Sequence, residues 1–341
     1  MRHLGKAKRL LFILIILDAA LILYLSVHPP RKKITVAGSS TVFPPVQRWA
    51  DIYMNLNPQV SIEVTGGGSG MGIVAAGEHT VDIGMSSHPL EQSQKEKFPN
   101  LIEIPIALDG VAIIANEMVN KTLKLTREMV VAIFSGAIAT WDEFEEEFGV
   151  SIDATGEIIV CVRADKSGTT EVFSKWLSLD PDWKIGSGEV VSWPKSSRFI
   201  SGNGNQEILM NVKSNLNAIG YVGLAYTSSA DIVVAEILNP STGEYVKPTQ
   251  ESVKKSAEKG IFQPNESLFD PPISGAYPIS RSLYLIIDRV YIKDKEHVIE
   301  FIRWILDSDG GQVPDIVRDV GYVEISDTKL QEIAIEIIDN I

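Results

Sequence analysis

Eight consecutive residues, Arg163-Ala164-Asp165-Lys166-Ser167-Gly168-Thr169-Thr170, place a permanent cation, an acidic acceptor, a glycine and three hydroxyls in one turn. An arginine offers a planar fork of donors that fits an oxyanion bidentately. A Ser/Thr/Gly turn that opens a helix adds unpaired backbone N–H groups and the positive end of the helix dipole. Together these are the ingredients of an anion site of phosphate or sulfate size. Three more positions share this chemistry: Ser39-Ser40-Thr41, Gly68-Ser69-Gly70 and Asp82. Any one Ser/Thr turn reads equally well as a plain helix N-cap. Three of them, together with Arg163, shift the balance toward a shared ligand. A carboxylate such as Asp82 repels a bare oxyanion and attracts one that carries a proton to donate. Phosphate has such a proton at neutral pH and sulfate has none. Alternatively, Asp82 caps a local turn. Asp165, two residues beyond Arg163, could hold the guanidinium in register.

The elements needed to position these turns are legible. Ile34-Thr35-Val36-Ala37 reads as a strand ending in the first turn, and Val46, Trp49, Ala50 and Tyr53 follow at helical spacing. Val60–Thr65 alternates as a strand, runs into Gly66–Gly72, and gives way to a helix opened by Ile73, Val74 and Ala76. Val81–Met85 is a third strand. Ile158–Val162 is a buried strand before the Arg163 turn, and Glu171–Leu177 is the helix after it. Strand, polar turn, helix is the pattern of an α/β parallel sheet, whose ligands sit at the carboxyl ends of strands. Leu101–Ala115 reads as a strand passing into a second domain, and Leu283–Ile287 as one that crosses back. Thr126 caps a helix to Phe134, Trp141–Phe148 presents an acidic solvated face, Ala218–Gly223 is a strand, and helices are expected at 208–212, 251–259, 297–306 and 329–338.

The 341-residue chain is long enough for two domains, and a net charge of −13 argues against a broad nucleic-acid footprint. Its single cysteine, Cys161, excludes an internal disulfide and lies in an apolar strand, as a buried, inert thiol would. The five histidines show no metal-ligand spacing. The Gly66–Gly72 run is neither a dinucleotide fingerprint nor a Walker A loop, and no Gly-x-Ser-x-Gly nucleophile elbow occurs. No catalytic residue, metal or cofactor is expected, and an enzyme acting on phosphate esters lacks both a nucleophile and a metal pair. At the N-terminus, Arg2, Lys6, Lys8 and Arg9 precede an apolar run from Leu10 to Val27 broken only by Asp18. As a helix the run would span about 27 Å, near bilayer thickness. Residues 1–30 therefore read as a transmembrane anchor or a cleaved signal peptide. The absence of a small-x-small site before Pro29-Pro30 favours the anchor. In both cases the body faces outside the cytoplasm.

The chain resembles the phosphate-binding proteins of high-affinity phosphate ABC transporters, from about Ile34 to Ile341. The matching segments are Ala37–Pro44, Gly66–Gly70, Val81–Ser87, Ile133–Gly136 with Trp141-Asp142, Arg163–Thr169, Ala218–Val222 and Tyr277–Arg281. The resemblance implies an α/β, two-lobed periplasmic-binding-protein-like fold (type II) with hinge strands between lobes, here preceded by an N-terminal hydrophobic helix. Lobe 1 would comprise 33–107 with 283–341, and lobe 2 would comprise 108–282. It implies capture of inorganic phosphate, delivery to the permease subunits, and no enzyme activity. It implies phosphate-binding roles for Ser40, Thr41, Ser69, Asp82, Arg163, Asp165, Ser167, Gly168 and Thr169. Asp82 would take the ligand's proton and Asp165 would orient Arg163. Ser87 stands where some members carry aspartate, a position discounted as a direct ligand. The lipid-anchor cysteine of many bacterial members is absent, which also favours a protein anchor. A receptor for sulfate, molybdate or tungstate, or a phosphate sensor, would share most of these features.

Overall fold

The computed structural model describes residues 31–228, 231–258 and 268–341. The first part runs β1 (Lys32–Gly38), α1 (Phe43–Leu56), β2 (Val60–Gly66), α2 (Ser69–Gly77), β3 (Ile83–Ser86), α3 (Gln92–Lys97) and β4 (Leu101–Asn116). The middle holds β5 (Lys124–Leu125), α4 (Arg127–Phe134), α5 (Trp141–Phe148), β6 (Ile159–Arg163), α6 (Gly168–Leu177), β7 (Phe199–Gly202), α7 (Gly204–Ser214) and β8 (Ala218–Gly223). Then come β9 (Ile232–Val234), β10 (Glu236–Asn239), β11 (Glu244–Val246), α8 (Gln250–Ser256), β12 (Leu268–Phe269), β13 (Ile279–Asp288), α9 (Glu296–Leu306), α10 (Pro314–Arg318) and α11 (Lys329–Asp339).

The main sheet has the order β2-β1-β3-β13-β4-β8-β6-β7. β4 holds it together. Its 16 residues are almost all buried, so it reads as a near-continuous apolar run, as strands covered on both faces do. From Leu101 to Gly110 it pairs antiparallel with β13, and from Val111 to Ala115 with β8. The pairing with β13 slips by one residue beside Pro105, where a proline cannot donate to the ladder. Two half-sheets thus share the long strand β4.

Strand direction places the site. β3 is antiparallel to β13, which is antiparallel to β4, so β1, β2 and β3 all run with β4 toward the second half. β8 is antiparallel to β4 and parallel to β6, which is parallel to β7, so these three run back toward the first half. Both sets of carboxyl ends therefore face each other across one cleft, where open α/β sheets bind ligands. The C-terminal helices return to the first half: Trp49 Nε1 donates to the Gly311 carbonyl at 2.7 Å, and Leu108 exchanges backbone bonds with Val323.

Two expectations need adjusting. α5 keeps its acidic residues outside but buries Trp141 and Phe144 completely, so one face belongs to the core. The short helices α3 and α10 had no sequence counterpart. The apolar run 10–27 lies outside the described residues. Among the described residues, no helix is long and apolar enough to cross a membrane.

Candidate anion-binding site

Arg163 is the last residue of β6 and is only 4% exposed. Its Nε donates to Asp165 Oδ1 at 2.7 Å and its Nη2 to Asp165 Oδ2 at 2.5 Å. Burial works against a charged Asp165, but the hydrogen bonds and charge of Arg163 hold its carboxyl below the usual range. The Gly204 N–H braces Asp165 from α7 at 3.3 Å. One guanidinium edge is thereby fixed. Nη1, on the other, is buried without a hydrogen-bond partner among the described residues. An unpartnered buried cationic donor is costly unless a ligand satisfies it.

Helix α6 begins beside it. Ser167 is the N-cap, and its Oγ accepts from the Thr170 N–H at 3.1 Å, so the plain capping role is real. The cap uses a lone pair and leaves the serine O–H free to donate. The first backbone N–H groups of the helix, at Gly168 and Thr169, point out of its end. Across the cleft, Ser69 opens α2, its Oγ 3.2 Å from Ser87 Oγ and 3.2 Å from the Ser87 N–H. The approach is close enough to require glycines. A Cβ on Gly168 would stand 2.4 Å from Ser87 Oγ and 2.5 Å from Ser69 Oγ, and one on Gly68 (φ 98°) would stand 2.2 Å from the Lys166 carbonyl.

A second cluster joins β4 and β13. Arg281 of β13 donates from Nε (3.0 Å) and Nη2 (2.6 Å) to Asp109 of β4, its direct cross-strand partner. The same Nη2 lies 3.2 Å from both Thr41 Oγ1 and Thr169 Oγ1. Thr41 Oγ1 also accepts from Asn205 Nδ2 at 3.0 Å and sits 3.0 Å from Thr169 Oγ1. Nη2 has two hydrogens, one on Asp109 and one shared between the two threonine oxygens, so either hydroxyl can donate to the other. Whichever threonine donates, one hydroxyl proton of the pair is left for a ligand, and the contact joins the two halves.

Residues 26–309 match the model of the PBP superfamily domain. The phosphate-binding protein PstS of Methanocaldococcus jannaschii is 32% identical over 324 residues, 85% of this chain and 82% of that one. The chain belongs to the PBP superfamily, among the phosphate-binding proteins called PstS. A phosphate ABC transporter substrate-binding protein from Clostridium perfringens, solved with bound phosphate, aligns with a TM-score of 0.65 at 25% identity, covering 86% of this chain and 100% of that one. A phosphate-binding protein from Stenotrophomonas maltophilia shares the fold with a TM-score of 0.67 at 18% identity, covering 89% of this chain and 93% of that one. The architecture is the two-lobed α/β fold of this superfamily, whose members in this branch are substrate-binding transport proteins and not enzymes.

Of the positions singled out in the sequence, Thr41, Ser69, Arg163, Asp165, Ser167, Gly168 and Thr169 come together around the cleft. Ser40 is half-buried at its edge, its carbonyl 3.3 Å from the Tyr226 hydroxyl. Asp82 does not join them. It precedes β3, level with Thr35, at the end of the strand away from the cleft. Its Oδ2 accepts from the Thr35 N–H and hydroxyl, both at 2.8 Å, and its Oδ1 from Lys295 at 2.5 Å. Burial opposes its charge, but Lys295 and Thr35 hold the carboxyl below the ordinary range. It is a structural ion pair, so the expected proton acceptor is displaced from the site. Ser87, discounted from sequence, is the residue that β3 delivers to the cleft. The signal was available: ligands gather where strands end, and Ser87 follows the strand that Asp82 precedes. Arg281, Asp109 and Asn205 were also missed. Only the register of β4 on β13 brings the first two together.

Among the described residues, His88, Glu171 and Glu189 are the group whose donor atoms lie close enough for a metal, within 4.8 Å of one another. Both ring nitrogens already face protein oxygens at 2.8–3.1 Å, so the imidazole would have to leave those bonds to bind an ion.

Proposed function

We propose that the chain captures inorganic phosphate between its lobes and delivers it to the permease of an ABC transporter. The observation that carries this reading is the Arg163 guanidinium, fixed by Asp165 on one edge and buried without a partner at Nη1, beside the start of α6. Backbone N–H groups of Gly168 and Thr169, the hydroxyls of Ser167, Ser69 and Ser87, the one spare hydroxyl proton of the Thr41–Thr169 pair, and Arg163 would together replace the water stripped from the ion. Ser40 borders this set. Phosphate, rather than another oxyanion, is supported by relatives that carry its name, one of them at 32% identity, and by a structural neighbour solved with phosphate bound. With Asp82 engaged elsewhere, the preference for phosphate over sulfate is supported by these relatives and not by a carboxylate acceptor at that position.

Donors from both lobes complete the set only when the lobes meet, so the ligand favours closure. We place the lobe boundaries at 107/108 in β4 and 282/283 in β13, which leaves these two strands as the hinge. Calorimetric titration with phosphate, arsenate and sulfate tests the reading. Phosphate and arsenate should bind at micromolar concentration or tighter, about −8 kcal/mol or better, with sulfate unable to compete. Arg163→Ala should abolish binding while the protein stays folded. Equal competition by sulfate would overturn the choice of ligand.

The body works outside the cytoplasm, as receptors for import do. We infer that the apolar run 10–27, outside the described residues, anchors it to the membrane. Full-length protein should remain in the membrane fraction after an alkaline wash with its N-terminus retained. A soluble product beginning beyond Ser26 would identify a cleaved signal peptide instead.

A further inference from the structure

His88 follows Ser87 into the cleft and is 1% exposed. The opposite lobe brackets its ring: Nε2 lies 3.0 Å from Glu189 Oε1, and Nδ1 lies 3.1 Å from Glu171 Oε2. Nδ1 also lies 2.8 Å from the carbonyl oxygen of Pro89. A carbonyl oxygen only accepts, so Nδ1 carries a proton. An ionised carboxylate only accepts as well. Nε2 therefore faces Glu189 with a second ring proton, or Glu189 itself is protonated. In either case the cluster holds one proton more than a neutral imidazole and two carboxylates would.

The surrounding charges favour that extra proton. Glu171, on α6, is fully buried; its Oε1 pairs with Lys175, and among the described residues its Oε2 faces only the His88 ring. Lys175 also reaches toward Glu91 at 3.6 Å. From β13, Arg281 and Tyr284 line a cavity of about 150 Å³ shared with His88 and Glu171. Arg281 pairs with Asp109 through Nε and Nη2, which balances its charge, while its Nη1 is buried without a hydrogen-bond partner among the described residues; burial pushes the Tyr284 phenol up, so it stays neutral. Lys175 offsets one of the two bracketing carboxylates, and a protonated ring offsets the other. Burial by itself would lower the His88 pKa; the hydrogen bond to Glu189 and the charges of Glu171 and Glu189 outweigh it and raise it. Burial likewise raises Glu171. Both effects hold the proton in the cluster to higher pH.

His88 stands on one lobe and both carboxylates on the other, so opening the cleft separates them and returns the ring to water. We propose that His88 is a proton-loaded clamp: closing the lobes traps a proton between His88, Glu171 and Glu189, and phosphate capture is thereby linked to proton uptake. This rests on the phosphate reading above. The sign follows from the raised closed-state value. The clamp contributes fully below the ordinary histidine pKa of about 6.5 and is lost as pH rises through the closed-state value.

Two measurements on the full-length protein test it. In proton NMR, the imidazole signal missing from His88→Gln should titrate at higher pH with phosphate than without. By calorimetry, the wild-type phosphate Kd should rise with pH between those two midpoints, by up to about tenfold per unit. His88→Gln should lose that part of the slope and keep the part due to phosphate's own ionisation. Glu189→Gln should bring the bound-state midpoint down. Identical His88 midpoints with and without phosphate, or a pH slope unchanged in His88→Gln, would overturn the clamp. A wild-type protein that binds no phosphate at any pH would remove the ligand reading, and the linkage with it.

Discussion

Asp82 and Ser87 flank one four-residue strand, yet only Ser87 reaches the cleft. Their exchange of roles leads to a clear expectation. Asp82→Asn should cost about 1–3 kcal/mol of stability, because it leaves Lys295 without its charged partner. Phosphate affinity and selectivity over sulfate should stay within about twofold of the wild type. The Asp82 carboxyl is held below its ordinary range, so its contribution is present above the unfolded pKa of about 3.9 and lost as pH falls through the folded value. The acid side of the stability curve should therefore be shallower in the variant, as read by denaturant melts at pH 7 and pH 3. A clear shift in sulfate competition would return Asp82 to the site. At this scale, legibility follows proximity in the chain. Arg163, Asp165 and Ser167–Thr169 form one turn, and their grouping needed no fold. The Asp109–Arg281 pair, and Asn205 on Thr41, depend on pairing across long separations that residue types do not reveal.

α6 supplies both a dipole end and a steric limit. Gly168 has no positive φ, so an alanine there suits the helix. The added methyl would collide with Ser69 and Ser87 only when the lobes are shut. Gly168→Ala should thus leave the ligand-free thermal midpoint unchanged or slightly raised and weaken phosphate binding at least tenfold, measured by calorimetry and melting of the same preparation. Native affinity in this variant would mean that the cleft closes less tightly than these distances imply. Most elements were legible because their apolar patterns are strong: β4 is buried almost throughout, and the Thr126 cap binds the Met129 N–H at 3.2 Å. The inner face of α5 was not, since five acidic residues between Trp141 and Phe148 obscure the stripe. The five-residue helix α10 is too short to show a period.

Taken whole, the molecule binds an anion despite a net charge of −13. Long-range attraction cannot do this, so the site relies on oriented short-range donors, and salt should affect affinity weakly. The residues alone gave alternating strands and helices, a long apolar strand at Leu101–Ala115 passing into a second domain and a short one at Leu283–Ile287 crossing back; the two-lobed plan itself came with the resemblance. The facing of the two sets of strand ends was not legible, because it follows from pairing directions that only the assembled sheet displays. Cys161, mid-way along β6, has one last consequence. It is fully buried against Ile208 and Val212 of α7, and burial pushes its thiol up to about 12. In the proposed closure the lobes would move as bodies, and Cys161, Ile208 and Val212 would all stay within the second. A thiol-modifying reagent would therefore be blind to the receptor's working cycle and would mark only the rare molecules in which the second lobe has come apart.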